Sequence, residues 1–132
     1  MMPTFENRDG ILFAVFSETV TEENLRSLAA EIENVEKDYT VLTNRVVDLC
    51  KVKSFDANFM SVLSLAENRN RKVFPTHIKT ALLVSNNYQL GFARMYQTFI
   101  ENPQMSINIF TDESKALEWL KSPDTRLTSR PS

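Results

Sequence analysis

The sequence of 132 residues holds one cysteine, one histidine and two glycines. A lone Cys50 cannot close an intrachain disulfide, and with His77 as the sole imidazole a Cys/His zinc site cannot be assembled from one chain. Gly10 and Gly91 cannot supply a G-x-G-x-x-G fingerprint, a phosphate-binding P-loop or a G-x-S-x-G elbow. No cofactor or metal is therefore expected. The longest unbroken apolar run, Ile11 to Phe16, is six residues, against the roughly 20 that a membrane span requires. Stable membrane insertion is not expected. Met1 to Gly10 lacks the basic start and apolar stretch of a secretion signal, so the expectation is a cytoplasmic protein of bacterial type. Charge of one sign is lacking too. Fifteen Lys and Arg face 17 Asp and Glu, a net −2 with a pI near 5.4. Such a chain has no strong positive field to draw in nucleic acid.

The apolar fraction of 42% suits a soluble globular domain of this length, which can bury a core without staples. The pattern predicts an α/β class: a single layered domain whose five-stranded mixed sheet follows the order β-β-α-β-α-β-α-β-α. Thr4–Glu6 and Ile11–Ser17 are extended, and Asp9-Gly10 between them supplies the positive φ of a tight hairpin. Thr21 is placed to cap a helix whose stripe is Leu25, Leu28, Ala29, Ile32 and Val35, with Arg26, Glu31, Glu33 and Glu36 on a solvated face. Arg45–Leu49 reads as a short buried strand. Asp56 or Ser54 would cap a second helix with Phe59, Val62, Leu63 and Ala66 inward, ending in the cations Arg69, Arg71 and Lys72. Ile78–Ser85 reads as the central strand, Asn86 and Asn87 as a turn, and Tyr88–Asn102 as a third helix. Met105–Phe110 and a short helix capped by Thr111 or Asp112 complete a domain over residues 1–121. Residues 122–132 form a polar tail.

Val46-Val47-Asp48-Leu49, then Val52 and Phe55-Asp56, resembles the strand–loop–helix segment of STAS domains. Ile78–Ser85 with Gly91-Phe92-Ala93-Arg94-Met95-Tyr96, then Ile109-Phe110-Thr111-Asp112-Glu113 and Ala116-Leu117-Glu118-Trp119-Leu120, is similar to the SpoIIAA-like group of stand-alone STAS/SEC14-type proteins. The resemblance covers roughly Gly10 to Leu120. It implies a non-enzymatic domain, often a dimer, distantly akin to lipid-binding folds. In phospho-switched relatives an Asp-Ser pair opens the second helix; aligned here, the pair is Asp56 and Ala57. Alanine takes no phosphate, so no phosphorylation switch is expected at this position.

The candidate binding residues are few. In open α/β sheets ligands gather beyond the strands' carboxyl ends, so Asp48, Asp56, Asn86, Asn87 and Tyr88 are expected to line one polar rim. Gly91 inside a helix implies a close approach by the sheet, a partner or a ligand. Phe92 and Met95, with Phe99, spread around more of that helix than one sheet contact needs, with Arg94 at the polar margin; a second subunit or a ligand would use the surplus. A Cys50–His77 nucleophile pair is disfavoured, since the two belong to opposite edges of a parallel sheet. The expected function is a non-enzymatic STAS-like binding or regulatory module that recognises a protein partner or an apolar small ligand, and a homodimer. The alternatives are a small hydrolase or transferase using the Asp48/Asp56 rim, or a purely structural homodimer. No catalytic set of acid, base and nucleophile stands out.

Overall fold

A computed structural model describes residues 3–38, 44–74 and 76–122. The side chain of Val35, Pro75 and the tail beyond Ser122 lie outside them. Nine elements follow one another: β1 (Thr4–Arg8), β2 (Ile11–Thr21), α1 (Glu22–Asp38), β3 (Arg45–Asp56), α2 (Phe59–Asn70), β4 (Ile78–Leu83), α3 (Asn87–Phe99), β5 (Met105–Phe110) and α4 (Glu113–Lys121). The strands lie side by side in chain order. β1 pairs antiparallel with β2, and every later pair is parallel. The expected five-stranded mixed sheet is the sheet observed.

The local chemistry explains the joints. Asp9 (φ 54°) and Gly10 (φ 81°) both take positive φ, the requirement of a hairpin turn that follows strand twist. Thr21 and Asn24 bond reciprocally: the Asn24 amide donates to Thr21 Oγ1 at 3.1 Å and the Thr21 amide donates to Asn24 Oδ1 at 3.0 Å. This box satisfies two backbone donors where α1 begins. Asn86 caps α3 and Asp112 caps α4 through their side-chain oxygens.

Three expectations are corrected. β2 and β3 run well past Ser17 and Leu49, because Val52 continues the buried row while Lys51 and Lys53 point to solvent. Two bulges in β3, one between Asp48 and Lys51 and one at Lys53 beside Glu18, whose φ is 60°, keep the two long strands paired as far as Thr21 and Asp56. α2 is capped by Asn58, whose Oδ1 accepts from the Ser61 amide at 3.0 Å; Asp56 and Ser54 are still in the strand. The buried stripe of α2 is Val62, Ala66 and Arg69, whereas Phe59 is exposed.

Alternation along the strands sorts the core into two layers. Leu12, Ala14, Val47 and Leu82 meet α1, α2 and α3 on one face, and Ile11, Phe13, Val46, Ala81 and Leu83 meet α4 alone on the other. Inside the first layer Glu36 accepts from Arg45 Nη1 at 3.1 Å and from both terminal nitrogens of Arg69. Both guanidinium groups are buried. Glu36 and Arg69 were expected on a solvated face and at a helix end. They are instead the ionic centre that ties α1, β3 and α2 together. Of the remaining basic residues there, Lys72 pairs with Glu33 at 3.0 Å and Arg71 is exposed.

Candidate functional site

The carboxyl edge of the sheet is held by a residue that sequence reasoning missed. Gln89 is buried in the first turn of α3. Its Oε1 accepts from the Ser85 amide at 2.7 Å, and its Nε2 donates to the Val52 and Cys50 carbonyls at 2.9 and 3.2 Å. One amide thus fastens α3 to β3 and to the end of β4. Its signal in the sequence is a polar residue four positions before Ala93 on the inner stripe.

The expected rim divides into separate places. Asp48 and Asp56 belong to one strand and pair with Val15 and Thr21, six residues apart on β2, which at about 3.3 Å per residue is roughly 20 Å. They cannot act on one bond. Asp48 Oδ1 instead accepts from the Cys50 amide at 2.9 Å, and burial first, then Asp48, pushes the Cys50 thiol up to about 11. His77 precedes β4 at the far end, with its Nε2 2.6 Å from Ser106 Oγ, so Cys50 and His77 are kept apart as expected.

Asp56 closes β3 beside Phe55, and there Tyr88 does arrive: the Phe55 amide donates to the Tyr88 hydroxyl at 2.8 Å. Phe92 stacks on Phe55 from below. Tyr88 exposes 53% of its surface, and Phe59 and Met60 at the start of α2 expose 56% and 52%; Met60 lines a groove with Leu25, Arg26 and Ala29 of α1. The adjoining depression is bounded by Glu22, Glu23 and Asp56, with Arg26 as its cation. Hydrogen bonds from Ser61 first and Arg26 second hold the Glu22 carboxyl below its usual range, so it stays ionised. Ala57 lies in the same depression and carries no hydroxyl.

Asn86, Asn87 and Arg94 lie elsewhere, in a crevice between α3 and the start of α4. Gly91 is exposed on α3, and a Cβ built there meets nothing within 4 Å. Close approach to the sheet is therefore not its purpose. Phe92, Met95 and Phe99, expected as surplus apolar surface, pack against the first core layer. The reason is the reach of β3, whose extra turn-length brings Phe55 over α3.

A partly open apolar space of about 50 Å³ lies beneath α1, α2 and α3, with Arg45, Arg69 and Tyr96 among its walls, smaller than the roughly 150 Å³ of a cavity that binds benzene. Burial raises the Tyr96 hydroxyl above its ordinary value. Among the described residues no group of three or more His, Cys, Asp and Glu is arranged to hold a metal ion. No described helix is long and apolar enough to cross a membrane.

The sequence model of DUF7793, a domain of unknown function, matches residues 5–123. No curated protein is significantly similar to the chain. Solved structures share the architecture. An uncharacterized protein of the DUF3478 family with a SpoIIAA-like fold, from Shewanella loihica PV-4, superposes with a TM-score of 0.61 at 17% identity, covering 89% of this chain and 91% of its own. The anti-sigma factor antagonist SpoIIAA in its unphosphorylated form superposes with a TM-score of 0.61 at 12% identity, covering 92% and 99%. The fold is SpoIIAA-like.

Proposed function

The chain belongs to the DUF7793 family, and from that premise we propose that it is a non-enzymatic STAS-like regulatory module of the cytoplasm that recognises a protein partner through the carboxyl edge of β3 and the starts of α2 and α3. The observation that carries the reading is the exposure of large apolar side chains at one edge of the sheet, Phe59 and Met60 at the start of α2 and Tyr88 at the start of α3, whose hydroxyl accepts from the Phe55 amide. Large apolar side chains gathered at one place on a soluble domain mark a contact surface, and aromatic and Met residues anchor such contacts. The acidic border of Glu22, Glu23 and Asp56 favours a partner with basic residues around an apolar patch, because complementary charge steers encounter.

A fold neighbour acts, by its name, as an antagonist of an anti-sigma factor, which is a protein. The separation of Asp48 from Asp56 supports a binding module over a hydrolase or transferase using both. The small space beneath the helices gives an apolar ligand little room, which favours a protein over a lipid. Phe92, Met95 and Phe99 are half-buried against the first core layer, which supports a partner other than a second copy.

The test is a photo-crosslinking residue at position 59 in cells, followed by titration of the captured protein, purified, against wild type and a Phe59→Glu/Met60→Glu variant. Loss of about tenfold or more in affinity with an unchanged circular dichroism spectrum is expected. Equal binding by the variant refutes the reading. Capture of a second copy of this chain replaces it with a homodimer.

A further inference from the structure

A second site lies on the other flank of α3, independent of the partner surface. α3 leaves β4 toward one face of the sheet and α4 leaves the neighbouring β5 toward the opposite face. Where adjacent parallel strands send their connections to opposite faces, a crevice opens beyond their carboxyl ends, and this is where open α/β sheets take small ligands. Here the crevice is an open depression of about 550 Å³, roomy enough for a small molecule to lie in.

Its charge is positive on balance, two cations against one carboxylate. Arg94 and Lys115 line it, and the Arg94 guanidinium forms no ion pair with the described residues. Asn86 spends its side-chain oxygen on the Gln89 amide at 2.8 Å, and Asn108 spends its own on the Ile109 amide at 3.1 Å. Neither NH2 has a hydrogen-bond acceptor among the described residues, so both can donate. The acceptors are fewer. Asp112 accepts from the Ser114 amide and hydroxyl at 2.9 and 2.8 Å on Oδ1 alone, and those bonds hold its carboxyl below the usual range, so it stays an ionised carboxylate at one side of the crevice. Gln97 donates to the Ile107 carbonyl at 2.8 Å and so keeps an oxygen free for a hydroxyl. The neighbouring Glu113 turns to Arg8 at 3.8 Å. Leu90, Ile109 and Phe110 supply half-buried apolar lining.

We propose that this crevice binds a small organic anion, its phosphate or carboxylate head held by Arg94, Lys115 and the amides of Asn86 and Asn108, its apolar part lying on Leu90, Ile109 and Phe110. Two cations with converging neutral donors match a head group that accepts several charge-assisted hydrogen bonds. The apolar lining explains why a bare inorganic ion would leave the site half filled.

The experiment is a titration of the 15N-labelled protein, followed by amide resonances, with phenyl phosphate, benzoate, inorganic phosphate and benzyl alcohol in separate arms. Saturable shifts at Asn86, Asn87, Arg94, Asn108 and Lys115 are expected with phenyl phosphate or benzoate, and the tighter of the two identifies the head group. Inorganic phosphate should bind more weakly, and neutral benzyl alcohol should give no saturable shift. The double variant Arg94→Gln/Lys115→Gln, both exposed positions, should keep its spectrum elsewhere and lose about tenfold or more in affinity. Absence of saturable shifts at the crevice with both organic anions, equal binding of benzyl alcohol, or undiminished binding by the double variant overturns the proposal.

Discussion

The rings of Phe55 and Phe92 stack with centroids 3.9 Å apart and planes 9° from parallel, although one closes β3 and the other sits in the second turn of α3. The contact makes Phe92 part of the wall of the first core layer. Phe92→Glu should therefore weaken the fold, by about 3 kcal/mol or more, since it removes aromatic packing and sets a carboxylate against apolar neighbours. Urea unfolding measures it. An unchanged midpoint with loss of self-association would restore the reading of α3 as a dimer surface.

Glu36 is the carboxylate shared by two buried guanidinium groups. Glu36→Gln removes the charge both depend on and should cost about 3–5 kcal/mol. Replacing the trio together, as Glu36→Met, Arg45→Met and Arg69→Leu, should cost far less, because no buried charge is then left over. Chemical denaturation of both variants decides; a triple variant as weak as the single one would show that the ions contribute net stability.

The Cys50 thiol, raised to about 11 by burial and Asp48, should alkylate slowly. At pH 8 iodoacetamide is expected to react roughly a hundredfold more slowly than with an open thiol, because the thiolate fraction falls by that factor. The rate should climb as pH rises toward 11. The raised value also means that the folded state holds its proton longer than the unfolded chain. This contribution is therefore intact below the unfolded value near 9 and is lost as pH rises from there through about 11. Mass spectrometry of timed samples and melts over that range check both signs.

Gly91 is helical and exposed, and nothing stands near the place of its missing Cβ. Gly91→Ala should stabilise the isolated protein by about 0.5–1 kcal/mol, through helix propensity and a less free unfolded chain. Calorimetry reads this as a higher melting temperature. A lower one would mean that the glycine is needed within the chain after all.

Much of the architecture could be read because it depends on neighbours in sequence. Asp9-Gly10 dictates its turn, Thr21 finds Asn24 three residues on, and Asn86 caps the helix it precedes. What escaped depends on distance. The extension of β3 was written in the alternation of Lys51, Val52 and Lys53, but its partner strand had to be known before the run could be recognised as paired. Glu36, Arg45 and Arg69 lie on three elements, and nothing local distinguishes a charge that will be buried from one that will be hydrated. The candidate residues divide for the same reason. Asp48 and Asp56 are expected at one edge, but both lie on β3, eight residues apart. Asn86, Asn87 and Arg94 did come together, because about two turns of one helix carry them along one crevice. Phe59 and Met60 were missed because an apolar residue at helical spacing looks inward until the sheet beneath it is seen to end.

The placement of α4 has a consequence for synthesis. Ile11, Phe13, Val46, Ala81 and Leu83 are buried on a face whose cover is Ala116 and Leu120, residues of the last described element. α4 is tied down by Lys79, whose Nζ donates to the Trp119 and Ser122 carbonyls at 3.0 and 2.8 Å. A growing chain makes its whole sheet and three helices before that cover exists. The nascent protein must therefore hold one greasy face open to chaperones or to aggregation until translation has passed Ser122. Truncations that stop short of α4 should behave as arrested nascent chains, collapsed and prone to associate, rather than as smaller versions of the folded domain.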